Sequence, residues 1–291
     1  MRQPDRPSPG LWSTRRGALP GGTAQTEPFA RPRTVVTEDA GNSDAAIARA
    51  LATEAATRLV GIRRENPDAD RLALKDLGDQ GAQAVLAARL AELAPADAVL
   101  SEEAADSAAR LSASRVWIID PLDGTREYSE GRDDWAVHIA LVVDGELALG
   151  AVALGGPDEV VVSTDVAGSP DAVGDPIRIA VSRSRAPGIV RRVAAALGAE
   201  LIPMGSAGVK ICSVVNGTAD AYLHGGGQYE WDSAAPVAVA RAAGLHASRL
   251  DGRDLVYNRP DPYLPDLVVC RPGIRDRVLS AIDDALAAQP E

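Results

Sequence analysis

The segment at 116–125, VWIIDPLDGT, constrains this chain more than any other. Four apolar residues in a row describe a strand buried on both faces, and the run ends on Asp120. Pro121 cannot donate to a ladder and turns the chain. Asp123 lies three residues beyond Asp120, followed by Gly124 and Thr125. A buried strand that delivers two carboxylates at its exit is costly unless something neutralises them. Hard divalent cations, which prefer oxygen ligands, do so. The sharp turn can expose the Leu122 carbonyl as a further ligand. A helix starting just beyond would aim the N–H groups of Gly124 and Thr125 at a phosphate. For the DGT tripeptide alone, an Asp-rich β-turn is the plain alternative.

Three further acidic sites accompany this one. Ser101-Glu102-Glu103 follows a short strand, DAVL, at 97–100; alone, these are loop carboxylates. Asp79, in LGDQ, stands where a helix of about 79–94 should begin, so it reads equally as an N-cap. Asp232 opens an Ala-rich helix of about 232–243 in WDSAAP and has the same capping alternative. The small residues 233–235 would let that helix press against a neighbouring layer, with Trp231 as a packing anchor.

Elsewhere the pattern alternates helices and strands. Asn42-Ser43-Asp44 offers N-caps for a helix of about 44–64 with Ile47, Leu51, Ala55, Leu59 and Ile62 on one face. Strands are expected at 115–120, 159–163, 177–182, 220–223 and 266–270, and helices at 188–198, 207–216 and 273–287. The apolar stretch 136–154 contains His138, Asp144 and Glu146, and Asp144-Gly145 is a hairpin signal, so it reads as two antiparallel strands and not a membrane span. Early hairpin and mixed elements point to an α/β (α+β) layered sandwich. Residues 165–176, rich in Gly, Pro and Asp, mark a boundary between a 34–170 subdomain that binds metal and a 171–291 subdomain that completes the site. Residues 1–33 hold six Pro and six Arg and read as a disordered N-terminal extension, with the fold beginning near Val35. Arg15-Arg16 is followed by no apolar run, which argues against a signal sequence.

The net charge is −11, although residues 1–33 carry six Arg against only Asp5 and Glu27. The body is therefore strongly acidic, which argues against sequence-independent nucleic-acid binding. An anionic small substrate stays compatible, because bound cations reverse the local field. Cys212 and Cys270 stand in apolar surroundings without metal-type spacing; they read as buried free thiols and fit a reducing cytoplasm.

Taken together, Asp79, Glu102-Glu103, DPLDGT at 120–125 and WDSAAP at 231–236 resemble the inositol monophosphatase superfamily of lithium-sensitive, magnesium-dependent phosphatases over about residues 40–290. Within it, VLSEEA, RVWIIDPLDGTRE, GRDDWAVHIAL and HASRLDG are most similar to CysQ-type 3′(2′),5′-bisphosphate nucleotidases of the actinobacterial branch. Haloacid-dehalogenase phosphatases are excluded: their DxDGT loop spaces its two aspartates by two, and here Pro121 holds that position.

The resemblance implies a five-layer αβαβα sandwich and direct in-line hydrolysis. Glu102, Asp120 and the Leu122 carbonyl would hold one Mg²⁺; Asp120, Asp123 and Asp232 would hold a second, with a third ion near Glu102. Asp79 and Thr125 would orient and deprotonate the attacking water. Substrate contacts would come from Gly124, Thr125, Gly205, Ser206 and Lys210, from Arg183 and Arg185 in VSRSR, and from His224. The residues themselves leave Lys210 open as a solvated helix position, Arg183 and Arg185 as surface cations, and His224 as a loop or dimer contact. His138 and His246 read as structural. Inositol monophosphatases carry a Glu where this chain has Leu223-His224-Gly225-Gly226-Gly227, with no acid until Glu230. The implied reaction is therefore removal of the 3′-phosphate of adenosine 3′,5′-bisphosphate in sulfur assimilation, with 3′-phosphoadenylyl sulfate as a second substrate. Inositol-1-phosphatase or fructose-1,6-bisphosphatase activity is the alternative at the same site, and a non-catalytic scaffold the alternative of another class. The family often forms homodimers; no membrane partner is expected.

Overall fold

The computed structural model describes residues 43–168, 172–184 and 186–288. The 1–33 segment, the expected start near Val35 and Arg185 lie outside them. Helix α1 (Asp44–Glu65) begins where expected, with the Ser43 hydroxyl accepting the Ala46 N–H. Its predicted face, from Ile47 to Ile62, is buried. Helix α2 (Arg71–Leu93) starts eight residues earlier than the sequence suggested, capped by Asp70, whose carboxylate accepts the Ala73 N–H at 2.9 Å. Asp79 is therefore not a cap. Gly78, which reads as a break, lies inside the helix because a Cβ there would come within 2.9 Å of both Leu122 and Tyr128. Its absence lets α2 lie directly on the DPLDGT turn.

The first sheet contains β1 (Ala98–Ser101), β2 (Arg115–Asp123), β3 (Ala136–Val143), β4 (Glu146–Leu154) and β5 (Val160–Val162) in that spatial order. β1 and β2 are parallel and the other pairs antiparallel. After β2 comes the short helix α3 (Thr125–Ser129). The second half supplies β6 (Arg178–Ser182), α4 (Gly188–Leu197), β7 (Glu200–Met204), α5 (Ala207–Val215), β8 (Ala221–Tyr229), α6 (Ala234–Ala242), β9 (His246–Ser248), β10 (Tyr263–Cys270) and α7 (Arg275–Ala287). Its sheet runs β7-β6-β8-β10-β9. Both halves belong to one compact unit, Val36–Glu291.

Strand alternation sorts the apolar residues into three cores. On β2, Trp117 and Ile119 face α1 and α2, while Val116 and Ile118 face α5 and α6 between the sheets. On β10, Leu267 and Val269 face that same central layer, and Val268 and Cys270 face α4 and α7. The order of layers is α1/α2, first sheet, α5/α6, second sheet, α4/α7: the expected αβαβα sandwich. Helix α6 packs so closely on β4 that a Cβ on Gly150 would lie 2.2 Å from the Ala235 carbonyl oxygen. The small residues at 233–235 do what their size suggested. Both cysteines are free and buried. Among the described residues no helix is long and apolar enough to cross a membrane.

Candidate active site

The carboxylates gather where β2 leaves the sheet. Asp120 opposes His138 on β3, and the next ladder pair is Asp123 with Ala136, so Pro121 and Leu122 form a bulge. A bulge re-aims side chains; here both aspartates turn into the central layer. The Leu122 N–H donates to Asp120 Oδ1 at 2.9 Å, and the Leu122 carbonyl accepts the Thr125 hydroxyl at 3.1 Å. Gly124 stands at φ +87°, a left-handed turn into α3. From the other side, the Gly208 N–H of α5 donates to Asp123 Oδ2 at 2.7 Å. Asp232 comes from a 3₁₀ turn, Glu230–Asp232, between β8 and α6. Its carboxylate accepts the Tyr229 N–H at 2.7 Å, so it does not cap α6. One carboxylate oxygen from each of Asp120, Asp123 and Asp232 lies within 4.8 Å of the others.

Glu102 joins them from the exit of β1, where its N–H donates to the Ile119 carbonyl at 3.4 Å. The residue is exposed overall, but its carboxyl turns inward and shares a hydrogen bond with Asp120. Desolvation first, then Glu103 and Asp123, push it up to about 7 against that bond. Asp120, 1% exposed, is pushed well above the usual carboxylate range by burial and then by Glu102, Asp123 and Asp232. Burial and then Asp123 lift Asp232 to about 7. On α2, burial, then Glu103 and Glu102, lift Asp79 to about 7. Like charges driven together out of water behave this way. The donor set is all oxygen, acidic and crowded, and its repulsion is what a hard divalent cation relieves. The residues fit such an ion.

Sequence reasoning placed His138 in the structural class, and it missed how close the ring lies to this cluster. The His138 ring is fully buried, with Nδ1 donating to the Trp231 carbonyl at 2.9 Å and Nε2 lying 3.3 Å from Asp123 Oδ2. A Cβ on Gly208 would meet Nε2 at 2.1 Å, so only glycine lets α5 approach. The one signal available was a histidine alternating into the central face of an otherwise apolar strand.

A cavity of about 620 Å³ opens on Asp123 and Asp232. Gly124, Gly205, Ser206, Lys210 and His224 all line it, as do Arg126, Glu127 and Gln228. Lys210 is buried, with its ammonium donating to the carbonyls of Gly205 and Ser206 and lying 5.4 Å from the Tyr222 ring centre. The Ser206 hydroxyl caps α5 by accepting the Val209 N–H. His224 is driven down to about 4 by burial and then by Lys210, so it faces the cavity neutral. Arg183 is not part of the lining: its guanidinium pairs with Glu127 and Glu130 at 2.9 and 2.5 Å. Arg126, given no role by the sequence pattern, lines the cavity, and among the described residues its guanidinium pairs only with Glu130, at 3.2 Å. A larger cavity of about 790 Å³, bordered by Arg132, Asp158 and Cys212, contains none of the clustered carboxylates.

The sequence pattern of the inositol monophosphatase family matches residues 43–285. The chain belongs to the inositol monophosphatase family. It is 51% identical over 253 residues to a 3′-phosphoadenosine 5′-phosphate phosphatase of Mycobacterium leprae, covering 82% of this chain and 93% of that protein. It is 30% identical over 208 residues to the 3′(2′),5′-bisphosphate nucleotidase CysQ of Escherichia coli K12, covering 68% and 82%. Among solved structures, CysQ from Bacteroides thetaiotaomicron superposes with a TM-score of 0.69 at 27% identity, over 78% of this chain and 97% of that one. Staphylococcus aureus inositol monophosphatase II shares the fold at a TM-score of 0.72 and 21% identity, over 83% and 95%.

Proposed function

We propose that this family member is a Mg²⁺-dependent phosphomonoesterase that removes the 3′-phosphate of adenosine 3′,5′-bisphosphate to give AMP, with 3′-phosphoadenylyl sulfate as a second substrate, in sulfur assimilation. The observation that carries the reading is a junction: Asp123 and Asp232 belong both to the carboxylate cluster and to the wall of the 620 Å³ cavity. An ester bound in that cavity sits beside the charged centre. The naming of relatives at 51% and 53% identity as 3′-phosphoadenosine 5′-phosphate phosphatases supports the choice of substrate.

Glu102, Asp120, the Leu122 carbonyl, Asp123 and Asp232 would hold two Mg²⁺ ions, and Glu102 would contact a third through water. Bound there, divalent cations supply Lewis-acid activation of water and stabilise charge on the phosphoryl and leaving oxygens. The protein's own groups do the rest. Asp79, on α2 in the field of Glu102 and Glu103, takes the proton of a water that Thr125 helps to orient. The water oxygen forms the new P–O bond as the ester P–O bond breaks, and the 3′ oxygen leaves as a hydroxyl after protonation from solvent. The neutral His224 borders the same cavity.

The second phosphate needs a cation. Two donors of Lys210 are engaged by backbone carbonyls, and Arg183 is held by two carboxylates. Among the described residues Arg126 keeps most of its donors free at the cavity wall, and we assign it the 5′-phosphate. The inositol alternative loses its acid: Glu230 is 1% exposed and accepts the N–H groups of Asn258 and Arg259, so it cannot grip inositol hydroxyls. The buried free thiols of Cys212 and Cys270 support a cytoplasmic setting.

The test is a substrate panel with Mg²⁺: adenosine 3′,5′-bisphosphate, inositol-1-phosphate and fructose-1,6-bisphosphate. The highest kcat/KM is expected for the nucleotide, with a loss on the order of 10²-fold or more in Asp123→Asn. A tenfold preference for inositol-1-phosphate would overturn the substrate assignment, and inactivity on all three would favour the scaffold class.

A further inference from the structure

Glu230 has no place in the chemistry, yet it is among the most buried charges in the chain, 1% exposed. It stands two residues before Asp232 in the same 3₁₀ turn. Its Oε2 accepts the Asn258 N–H at 2.5 Å and its Oε1 the Arg259 N–H at 2.8 Å. Its own N–H donates to the Pro262 carbonyl at 2.8 Å. The turn carrying Asp232 is thus held at three points by one loop, 258–262.

That loop is held in its turn. Asn258 adopts φ +60°, a conformation that Asn tolerates better than most residues. Its Oδ1 accepts from Arg110 at 2.7 Å and its Nδ2 donates to the Arg110 carbonyl at 3.2 Å. Arg110, also 1% exposed, makes a two-point bond to Asp106 at 2.7 and 2.9 Å. Asp106 and Arg110 stand four and eight residues beyond Glu102, in the segment that follows β1. The turn carrying Asp232 is therefore tied through Asn258 to the buried Arg110 in the segment after β1, and only the Asp106 end of this chain of contacts is exposed. Satisfied polar contacts around buried groups such as Glu230 and Arg110 fix geometry that apolar packing leaves adjustable.

We infer that Glu230, Asn258 and Arg110, with Asp106 behind Arg110, form a positioning latch that sets where Asp232 stands, so that divalent-cation affinity depends on residues that never touch the cation. The inference rests on reading the acidic cluster as a cation site. Residues that fix where a ligand stands commonly change affinity by about 10- to 100-fold when lost.

The test is direct binding of Mn²⁺, followed by electron paramagnetic resonance, to the full chain and to Asp123→Asn, Glu230→Gln and Asn258→Gly, with Tm measured without metal. Asn258→Gly removes only the side chain and keeps the left-handed backbone, so it carries the test if Glu230→Gln fails to fold. The latch predicts Mn²⁺ Kd raised fivefold or more in both variants, and kcat restored towards the parent value by excess metal with KM unchanged. A Kd within fivefold of the parent overturns the latch, whatever happens to Tm. Equal Mn²⁺ binding by the parent and Asp123→Asn overturns the cation site itself, and the latch with it.

Discussion

Arg126 shows how much a single side chain can decide. It follows directly on the DPLDGT turn, so the same bulge that aims Asp120 and Asp123 also fixes where its guanidinium can reach. Glu130 is shared by Arg126, Arg183 and Arg71, which leaves that carboxylate oversubscribed and Arg126 free to meet another anion. Hydrogen bonds to charged groups contribute about 1.5–3 kcal/mol, or about 10- to 100-fold in kcat/KM. Arg126→Gln should therefore lose about that factor on adenosine 3′,5′-bisphosphate while staying within twofold of the parent on adenosine 3′-monophosphate, which has no second phosphate to lose. An equal loss on both substrates would mean that Arg126 acts on the reacting phosphate or on the fold.

The approach of elements to one another matters as much as their identity. Helix α6 lies on β4 with the Ala235 carbonyl where a Gly150 side chain would be, and the obstruction is backbone, which cannot swing aside. Gly150→Ala should push α6 outward at a cost of about 1–3 kcal/mol, read as a lower Tm, and should weaken Mg²⁺ activation because Asp232 rides on the turn leading into α6. A Tm equal to the parent's would show that the layers have slack. Such approaches also explain what the sequence hid. Ordered carboxylates at strand exits were legible, because burial without neutralisation is costly, and so were α1, the hairpin and the layer order. The start of α2 was not: Gly78 reads as a break when seen alone, and only Leu122 and Tyr128 across the contact explain it. β7 was missed because it carries Pro203, which an edge strand tolerates. β8 runs on through Gly225–Gly227 to Tyr229 with a bulge of its own at Gly226-Gly227 against β10, a continuation set by its partner strand and not by local propensity. His138, Arg126 and the latch residues depend on contacts between distant segments, which spacing along the chain does not encode.

For the whole molecule, the site makes folding answerable to pH and cations. Asp79, Glu102 and Asp232 are lifted to about 7, in each case by burial first, while an unfolded carboxyl titrates near 4. Each group binds its proton more tightly in the folded state. Its stabilising contribution is therefore complete below about pH 4 and is lost as pH rises through about 7. Carboxylates paired with arginine, such as Asp106, Asp220 and Asp266, are held low and act oppositely, losing their contribution only as pH falls below the ordinary range. Between pH 5 and 8 the raised group dominates, so the metal-free protein should have a lower Tm at pH 8 than at pH 6. Cations compete with these protons. Mg²⁺ at 10 mM should raise Tm more at pH 8 than at pH 6, and calorimetry at pH 6.5 in buffers of different ionisation enthalpy should record proton release on binding. An equal Mg²⁺ shift at both pH values, with no proton released, would mean that the clustered carboxylates are already ionised without the metal and that their crowding is relieved in some other way.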